Sequence, residues 1–334
     1  MNLATQIHDL SIHDTIQTLR YEAGLSRRVV AHLRGLEKDL LGAYLNAPDI
    51  TSQKKLAALL SEAREAIADR YDAAQGVYDD EIPRFANVQA GKLIDGLNGL
   101  VKVDIFRNSM TADQAKAIAS DVLIEGAPSA DWWAAQEADV LFKFKNIVRS
   151  GMTEARTGDE MARAVRDLMG TEMRNAQALV RTSVITVNNA AHEAMYQANS
   201  DIIKGVQWIS TLDPRTCSAC GALDGQTWKL DESHPTPSLH WACRCATIPL
   251  TCSWEELTGI KGLDDMPAGT RASMDGQVSS KIDYEEWLAS KSPEFQKEIL
   301  GPARYRLLES GKLTLRDLTD QRGNELTLKQ LAGR

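Results

Sequence analysis

The 334-residue sequence predicts a mainly α protein with a small β unit, an α+β chain. Three observations predict it. Apolar residues recur at helical spacing through most of the length. Aromatics make up only 6%, which suits helices better than aromatic-rich strands. The texture then changes once, near residue 205, to short stretches with period-two alternation around a cluster of cysteines. The expected order is a helical N-terminal region (1–108), central helices leading into a short β-hairpin knuckle (109–258, knuckle at 213–249), and a linker with a helical C-terminal tail (259–334). Two or three units suit this length.

Along the chain, Leu36, Leu40, Leu41 and Leu45 repeat at helical spacing. Thr51, after Pro48, is placed to cap the next helix. Leu56, Leu59, Leu60, Ala63 and Ile67 then share one face of residues 55–71. Such faces dock a partner or, more commonly, pack into a bundle. Gly91, Gly96 and Gly99 loosen the pattern between Leu93 and Asp113, where Ser109 or Thr111 would cap a helix beginning near Ala112. A turn and helix start over 126–135 carry Trp132-Trp133, a partner anchor or, as is more usual, core.

From Glu137 to Asn199 the pattern is helical again, with breaks expected at Gly151 and Gly158 and a restart at Thr157-Gly158-Asp159-Glu160. Ala176, Leu179, Val180, Val184, Val187, Ala191 and Met195 form one stripe. Arg181 stands at its edge and, if covered, needs a carboxylate partner.

Val206, Trp208 and Leu212 fall on one face of a strand over 205–213, interrupted by Ser210, with Ile209 opposite. Asp213 to Thr216 turns into the first cysteine pair. The Asp224-Gly225 turn precedes a second strand at 226–230, and a third extended piece lies within 240–249. Trp254 to Leu257 reads as a short helix and 259–276 as a loop rich in Gly, Asp and Ser. In the tail, Tyr284 to Leu288 is helical. Ser292 caps a further helix with Pro293 at its first position, broken at Gly301-Pro302.

All five cysteines lie between Cys217 and Cys252, while the other ~300 residues have none, a clustering that argues for metal. The arrangement is Cys217-x2-Cys220, 19 intervening residues, then His240-x2-Cys243-x1-Cys245. A structural zinc takes four sulfur or nitrogen ligands in a tetrahedron, and five candidates stand here. Cys217 and Cys220 form the first pair. His240 with Cys243 or Cys245 would complete the set. Alternatively Cys243 and Cys245, which share a face in an extended segment, would both bind with His240 outside. The competing readings are reduced thiols packed in a small core, or a redox pair. Cys252 lies outside the pattern and reads as a plain buried thiol.

Composition narrows the function. Apolar residues at 43% and charged residues at 25% are ordinary for a globular protein. A net charge of −8 disfavours wholesale coating of DNA and leaves a local basic patch open. No apolar run approaches the ~18 residues of a membrane span. The N-terminus lacks the basic and apolar regions of a signal peptide, so folding in a reducing cytoplasm is expected. Zinc-enzyme signatures fail. There is no His-x-Glu, Thr216 rather than proline precedes Cys217, and His192-Glu193 has Tyr196 where a metalloprotease has its second histidine. There is no Gly-Lys-Ser/Thr phosphate loop. No catalytic residue and no small-molecule substrate are expected.

The stretch DPRTCSACGALDGQTW (213–228) followed by HWACRC (240–245) resembles the two blocks of the phage Mu F-like minor head proteins, also called head morphogenesis proteins. The usual second block has Pro-Asn after the histidine; here Trp241 and Ala242 stand there, which spares every candidate ligand. The similarity extends through Leu179-Val180-Arg181-Thr182, Lys204 to Trp208, Tyr284 to Trp287 and Gly311 to Leu315, and covers about 135–331. It implies a low-copy, non-catalytic virion protein, in the head interior or at the portal vertex and in host cytoplasm during assembly. The implied partners are portal protein and major capsid or scaffolding protein. The runner-up is a DNA-contacting virion protein of packaging or ejection, with Arg215, Arg244 and Lys229 near phosphate. A metal-dependent nuclease is the third reading.

Overall fold

The computed structural model describes residues 3–46, 53–107, 110–154, 156–253, 255–256, 261, 270–320 and 324–331. Five helices come first: α1 (Leu3–Leu45), α2 (Gln53–Val101), α3 (Ala112–Asp121), α4 (Ser129–Thr153) and α5 (Gly158–Ala198). Then follow β1 (Ile203–Ile209), α6 (Ser218–Leu223), β2 (Thr227–Lys229), β3 (Ala246–Thr251), β4 (Thr270–Ser273) and β5 (Gly276–Ser279). The tail holds α7 (Tyr284–Ala289), α8 (Pro293–Glu309), a 3-10 turn (Leu315–Leu318) and α9 (Leu328–Leu331). The chain is mainly α with a small antiparallel β unit, as its periodicities predict.

The residues gather into two compact units. One comprises 19–86 and 112–187; the other comprises 1–18, 87–111 and 188–334. Among its described residues the first holds helices and one isolated bridge, Ile124 to Ala127. Leu25, Val29, Leu33, Leu36 and Leu40 bury one stripe of α1, and Leu59, Ala63, Ile67, Tyr71 and Tyr78 one stripe of α2. Each fully buried aliphatic side chain contributes about 1.5–3 kcal/mol. Trp133 is buried, with the rings of Tyr71 and Tyr78 edge-on at centroid distances of 6.5 and 5.9 Å. The tryptophan pair therefore belongs to the core, and the half-buried Trp132 donates its indole N–H to the Ile124 carbonyl at 2.7 Å. Arg181 finds its carboxylate in the buried Glu22, at 3.4 Å.

Several local expectations are corrected here. The glycines at 91, 96 and 99 do not loosen α2, which runs to Val101. At Gly96 a Cβ would come within 2.7 Å of a Leu10 methyl, so Leu10 occupies the space a side chain would take. Gly151 lies inside α4, against Met161; the break falls at 154–157, where Thr157 and Glu160 form reciprocal cap bonds. The expected loop (259–276) ends in regular structure: 270–276 belong to the β4–β5 hairpin, which turns at Met274-Asp275 and continues to Ser279, with Gly276 at φ 110°. Thr51, Ser109, Trp254 and Leu257 lie outside the described residues, as does most of 259–269.

In the second unit β1 is central, in the order β2-β1-β3, with Val206 opposite Trp228 and Trp208 opposite Thr247. β1 starts at Ile203 and stops at Ile209, short of the expected 205–213; Val206 and Trp208 are buried on it as the period-two pattern predicts, while Leu212 is buried beyond its end, in a lone bridge to Ser273. In the tail, the Ser292 hydroxyl accepts from the Phe295 N–H, and Gly301 (φ 73°) kinks α8. Tyr284, Trp287, Leu300, Leu315 and Leu318 form a core with Leu212 and Ala222.

Candidate metal centre

β1 ends at Ile209 and the chain turns through Asp213 into α6. Cys217 occupies the N-cap of that helix, its Sγ accepting from the Cys220 N–H at 3.4 Å. This places the two sulfurs on one side of a single helical turn. The Asp224-Gly225 turn, with Gly225 at φ 76°, sends the chain back along β2. The return brings His240, Cys243 and Cys245 to the same place just before β3.

The imidazole Nε2 of His240 lies 3.3 Å from the Cys217 Sγ and 3.2 Å from the Cys220 Sγ. The Cys220 Sγ lies 3.8 Å from the Cys243 Sγ. Cys217, Cys220 and His240 form one group of candidate ligands, and Cys220, Cys243 and Cys245 form a second that shares Cys220. All five predicted residues are therefore brought together. His240 Nδ1 faces the Trp241 carbonyl at 3.0 Å. Donation to that oxygen leaves Nε2 with its lone pair toward the sulfurs, the usual outer-shell arrangement of a histidine ligand.

The sulfurs sit in an apolar pocket with Trp208 and Leu223. The hydrogen bond with Cys220 pulls the Cys217 thiol down to about 5, against burial and with help from His240. Hydrogen bonds to Cys217 and Cys243 hold the imidazole up at about 11, again against burial. Without an ion, the imidazole therefore carries its extra proton on Nε2, toward the thiolate; a cation bound by the sulfurs would displace that proton and take the freed lone pair. Cys245 lies to the side of this pairing, 3.5 Å from the Ser210 Oγ, which donates to the Cys220 carbonyl and accepts from the Trp208 indole. Cys252 stands apart and is half-buried, not buried as expected. It follows the end of β3, its N–H donating to the Ile202 carbonyl at 2.8 Å.

Three supporting features escaped the sequence reading. Asp213, at the start of the turn into the first cysteine pair, accepts both ends of the Arg244 guanidinium, at 2.6 and 2.7 Å, and the Arg215 N–H at 2.9 Å. Burial alone would raise its carboxyl, but Arg244, aided by Arg215, holds its pKa at about 2. Asp224, read as a turn former, is also a buried acceptor. It takes the N–H groups of Ser210 and Tyr284, both at 2.7 Å, and the guanidinium of Arg271 at 2.9 and 3.1 Å. Tyr284 reaches the knuckle from α7, its hydroxyl donating to the Thr216 carbonyl at 3.1 Å. The opposite charges in the two cysteine blocks were the available signal for the first pair; nothing local marked the other two.

Residues 143–248 match the model of the family described as Phage Mu protein F like protein. This bears out the resemblance drawn from the two blocks. The matched stretch runs from α4 through β1 to β3 and holds all five cluster residues. No curated protein and no solved structure matches the chain. Among the described residues no helix is long and apolar enough to cross a membrane.

Proposed function

We propose that this chain is a structural minor head protein of a tailed bacteriophage that acts in procapsid and head assembly near the portal, with a zinc ion stapling its knuckle. The observation that carries this reading is the match of residues 143–248 to the Phage Mu F-like family, over the stretch that contains the Cys/His cluster.

The donor set supports zinc. Two sulfurs bound at ~2.3 Å in a tetrahedron stand about 3.8 Å apart, and Cys220 and Cys243 are 3.8 Å apart. Cys217, Cys220, His240 and Cys243 are the proposed ligands. His240 pairs with Cys217, Cys220 and Cys243, whereas Cys245 pairs with Cys220, Cys243 and Ser210. The ion would tie α6 to the segment entering β3, in a unit whose strands are too short to hold that geometry alone. The helices would dock on portal protein and on major capsid or scaffolding protein. The site is then the virion head interior or portal vertex, reached from host cytoplasm during assembly.

A second reading, local contact with genomic DNA, draws on Arg215, whose side chain is 75% exposed, and on the exposed Lys229. Arg244 does not serve it, because Asp213 occupies its guanidinium. Co-expression of the full chain with the portal protein of its phage tests the first reading. Co-purification is expected, and normal heads assembled without the chain would refute it. DNA binding that weakens steeply with salt would favour the second.

A further inference from the structure

In the unit formed by 19–86 and 112–187, α1 and α2 run antiparallel, with the Tyr21 and Phe85 rings stacked at 4.4 Å and Arg70 bonded to Asp39 at 2.7 Å. Their outward faces carry opposite charge. Between positions 20 and 38 of α1 the exposed residues are five cations, Arg20, Arg27, Arg28, Arg34 and Lys38, and two alanines. Between positions 65 and 80 of α2 they are five carboxylates, Glu65, Asp69, Asp72, Asp79 and Asp80, and Gly76. The basic face stands out in a chain of net charge −8.

Opposite charges that meet along the α1–α2 seam pair there, Arg28 with Glu81 at 2.9 Å and Arg70 with Asp39. Among the described residues, Arg20, Arg27, Arg34 and Lys38 form no ion pair, and neither do the five carboxylates of α2. The two faces share one spacing. Arg20, Arg27 and Arg34 are seven residues apart in turn, and so are Glu65, Asp72 and Asp79. Seven residues make almost two helical turns, so each set forms a row with a charge every ~10.5 Å. Only small residues separate the charges: Ala23 and Ala31 on α1, and on α2 Gly76, where nothing lies within 4 Å of the place a Cβ would take. Glu65, Asp69 and Asp72 stand three or four apart, as do Arg34 and Lys38, and like charges so placed destabilise a helix unless something opposes them. Solvation accounts for either row alone. It does not account for a common pitch and opposite sign on two helices of one unit.

We propose that the partner of each row is a second copy of this chain, the α1 row of one copy lying against the α2 row of the next. Arg20, Arg27 and Arg34 then face Glu65, Asp72 and Asp79, and the common pitch brings all three pairs together in either helix direction. The two surfaces differ, so the contact is head to tail, and the assembly closes into a ring or extends as a chain. Exposed ion pairs each contribute little, so association in dilute solution is weak and screened by salt. It strengthens where several copies gather on one support. This goes beyond the assembly role proposed above and depends on neither the zinc nor the portal contact.

The test is sedimentation equilibrium of the full chain in reducing buffer at ~50 and ~500 mM salt. Concentration-dependent association is expected at the lower salt and its loss at the higher. One variant neutralises the basic row (Arg20→Gln, Arg27→Gln, Arg34→Gln) and another the acidic row (Glu65→Gln, Asp72→Asn, Asp79→Asn). Each alone should associate about tenfold more weakly or worse. Mixed in equal amounts they should form a complex of two chains that grows no further, because each brings only the row the other lacks. If either variant does not unfold cooperatively, Arg27→Gln or Asp72→Asn at the centre of its row replaces it. A chain that stays monomeric at low salt, association unchanged in either variant, or a mixture that does not pair would overturn the proposal. Salt-dependent binding of duplex DNA by a monomeric chain, lost with the three arginines, would assign the basic row to nucleic acid instead.

Discussion

Arg244 grips Asp213 with both ends of its guanidinium, Nη1 2.6 Å from Oδ2 and Nη2 2.7 Å from Oδ1. The pair joins the turn before Cys217 to the residue between Cys243 and Cys245. The two halves of the knuckle are therefore held by a charge-assisted link beside the sulfur cluster.

That link makes stability depend on acid. The folded pKa of Asp213, about 2, lies below its ordinary 3.8. A depressed carboxylate contributes its stability in full above the ordinary value and loses it as pH falls through the folded one. The window is therefore about pH 4 down to 2, and the contribution is about 2 kcal/mol. Urea unfolding of the native chain should lose that much across the window. Asp213→Asn should be less stable at pH 7 and show a shallower acid slope; an unchanged slope would contradict this origin.

The proposed ligand set predicts an asymmetry between neighbouring cysteines. Cys243→Ser should strip zinc, while Cys245→Ser should retain it with affinity reduced no more than about a hundredfold. Chelator competition on freshly purified protein reads both. Zinc kept by His240→Ala and lost from Cys245→Ser would identify a four-sulfur site instead. Freshly purified native protein that carries no zinc would remove the staple altogether.

Ala242 holds a left-handed conformation, φ 59°, between His240 and Cys243. That region costs a residue with a Cβ about 1–2 kcal/mol, and asparagine tolerates it better. The Mu F-like blocks carry asparagine at this place. Ala242→Asn should raise stability by about 0.5–1 kcal/mol, visible as a higher thermal midpoint with zinc content unchanged.

A matched pair of glycine substitutions separates packing from helix propensity. At Gly221 a Cβ would come within 2.4 Å of the Tyr284 ring, whereas at Gly24 nothing lies within 4 Å. Gly221→Ala should destabilise by about 1–3 kcal/mol by pushing α7 off the knuckle. Gly24→Ala, inside α1, should stabilise by about 0.5–1 kcal/mol. Denaturant midpoints of the two variants should move in opposite directions.

What the sequence by itself determined is what short-range rules control. The stripe from Ala176 to Met195 reports a buried helix face, and Val206 and Trp208 a buried strand face, because side-chain direction repeats with a local period. Ser292 and the Asp224-Gly225 turn act within four residues, and Cys-x2-Cys with His-x2-Cys-x-Cys concentrates ligands in two short stretches. Gly96 misled because a glycine's local cost says nothing of Leu10 packed against it. The β4–β5 hairpin was hidden because Arg271, charged and buried, breaks the alternation that marks a strand. Its partner Asp224 is 47 residues away, and Tyr284 lies 60 residues from Asp224. Only the tertiary structure decided those pairings and the separation of Cys245 from His240. Each depends on distances between segments far apart in the chain, and no local pattern encodes them.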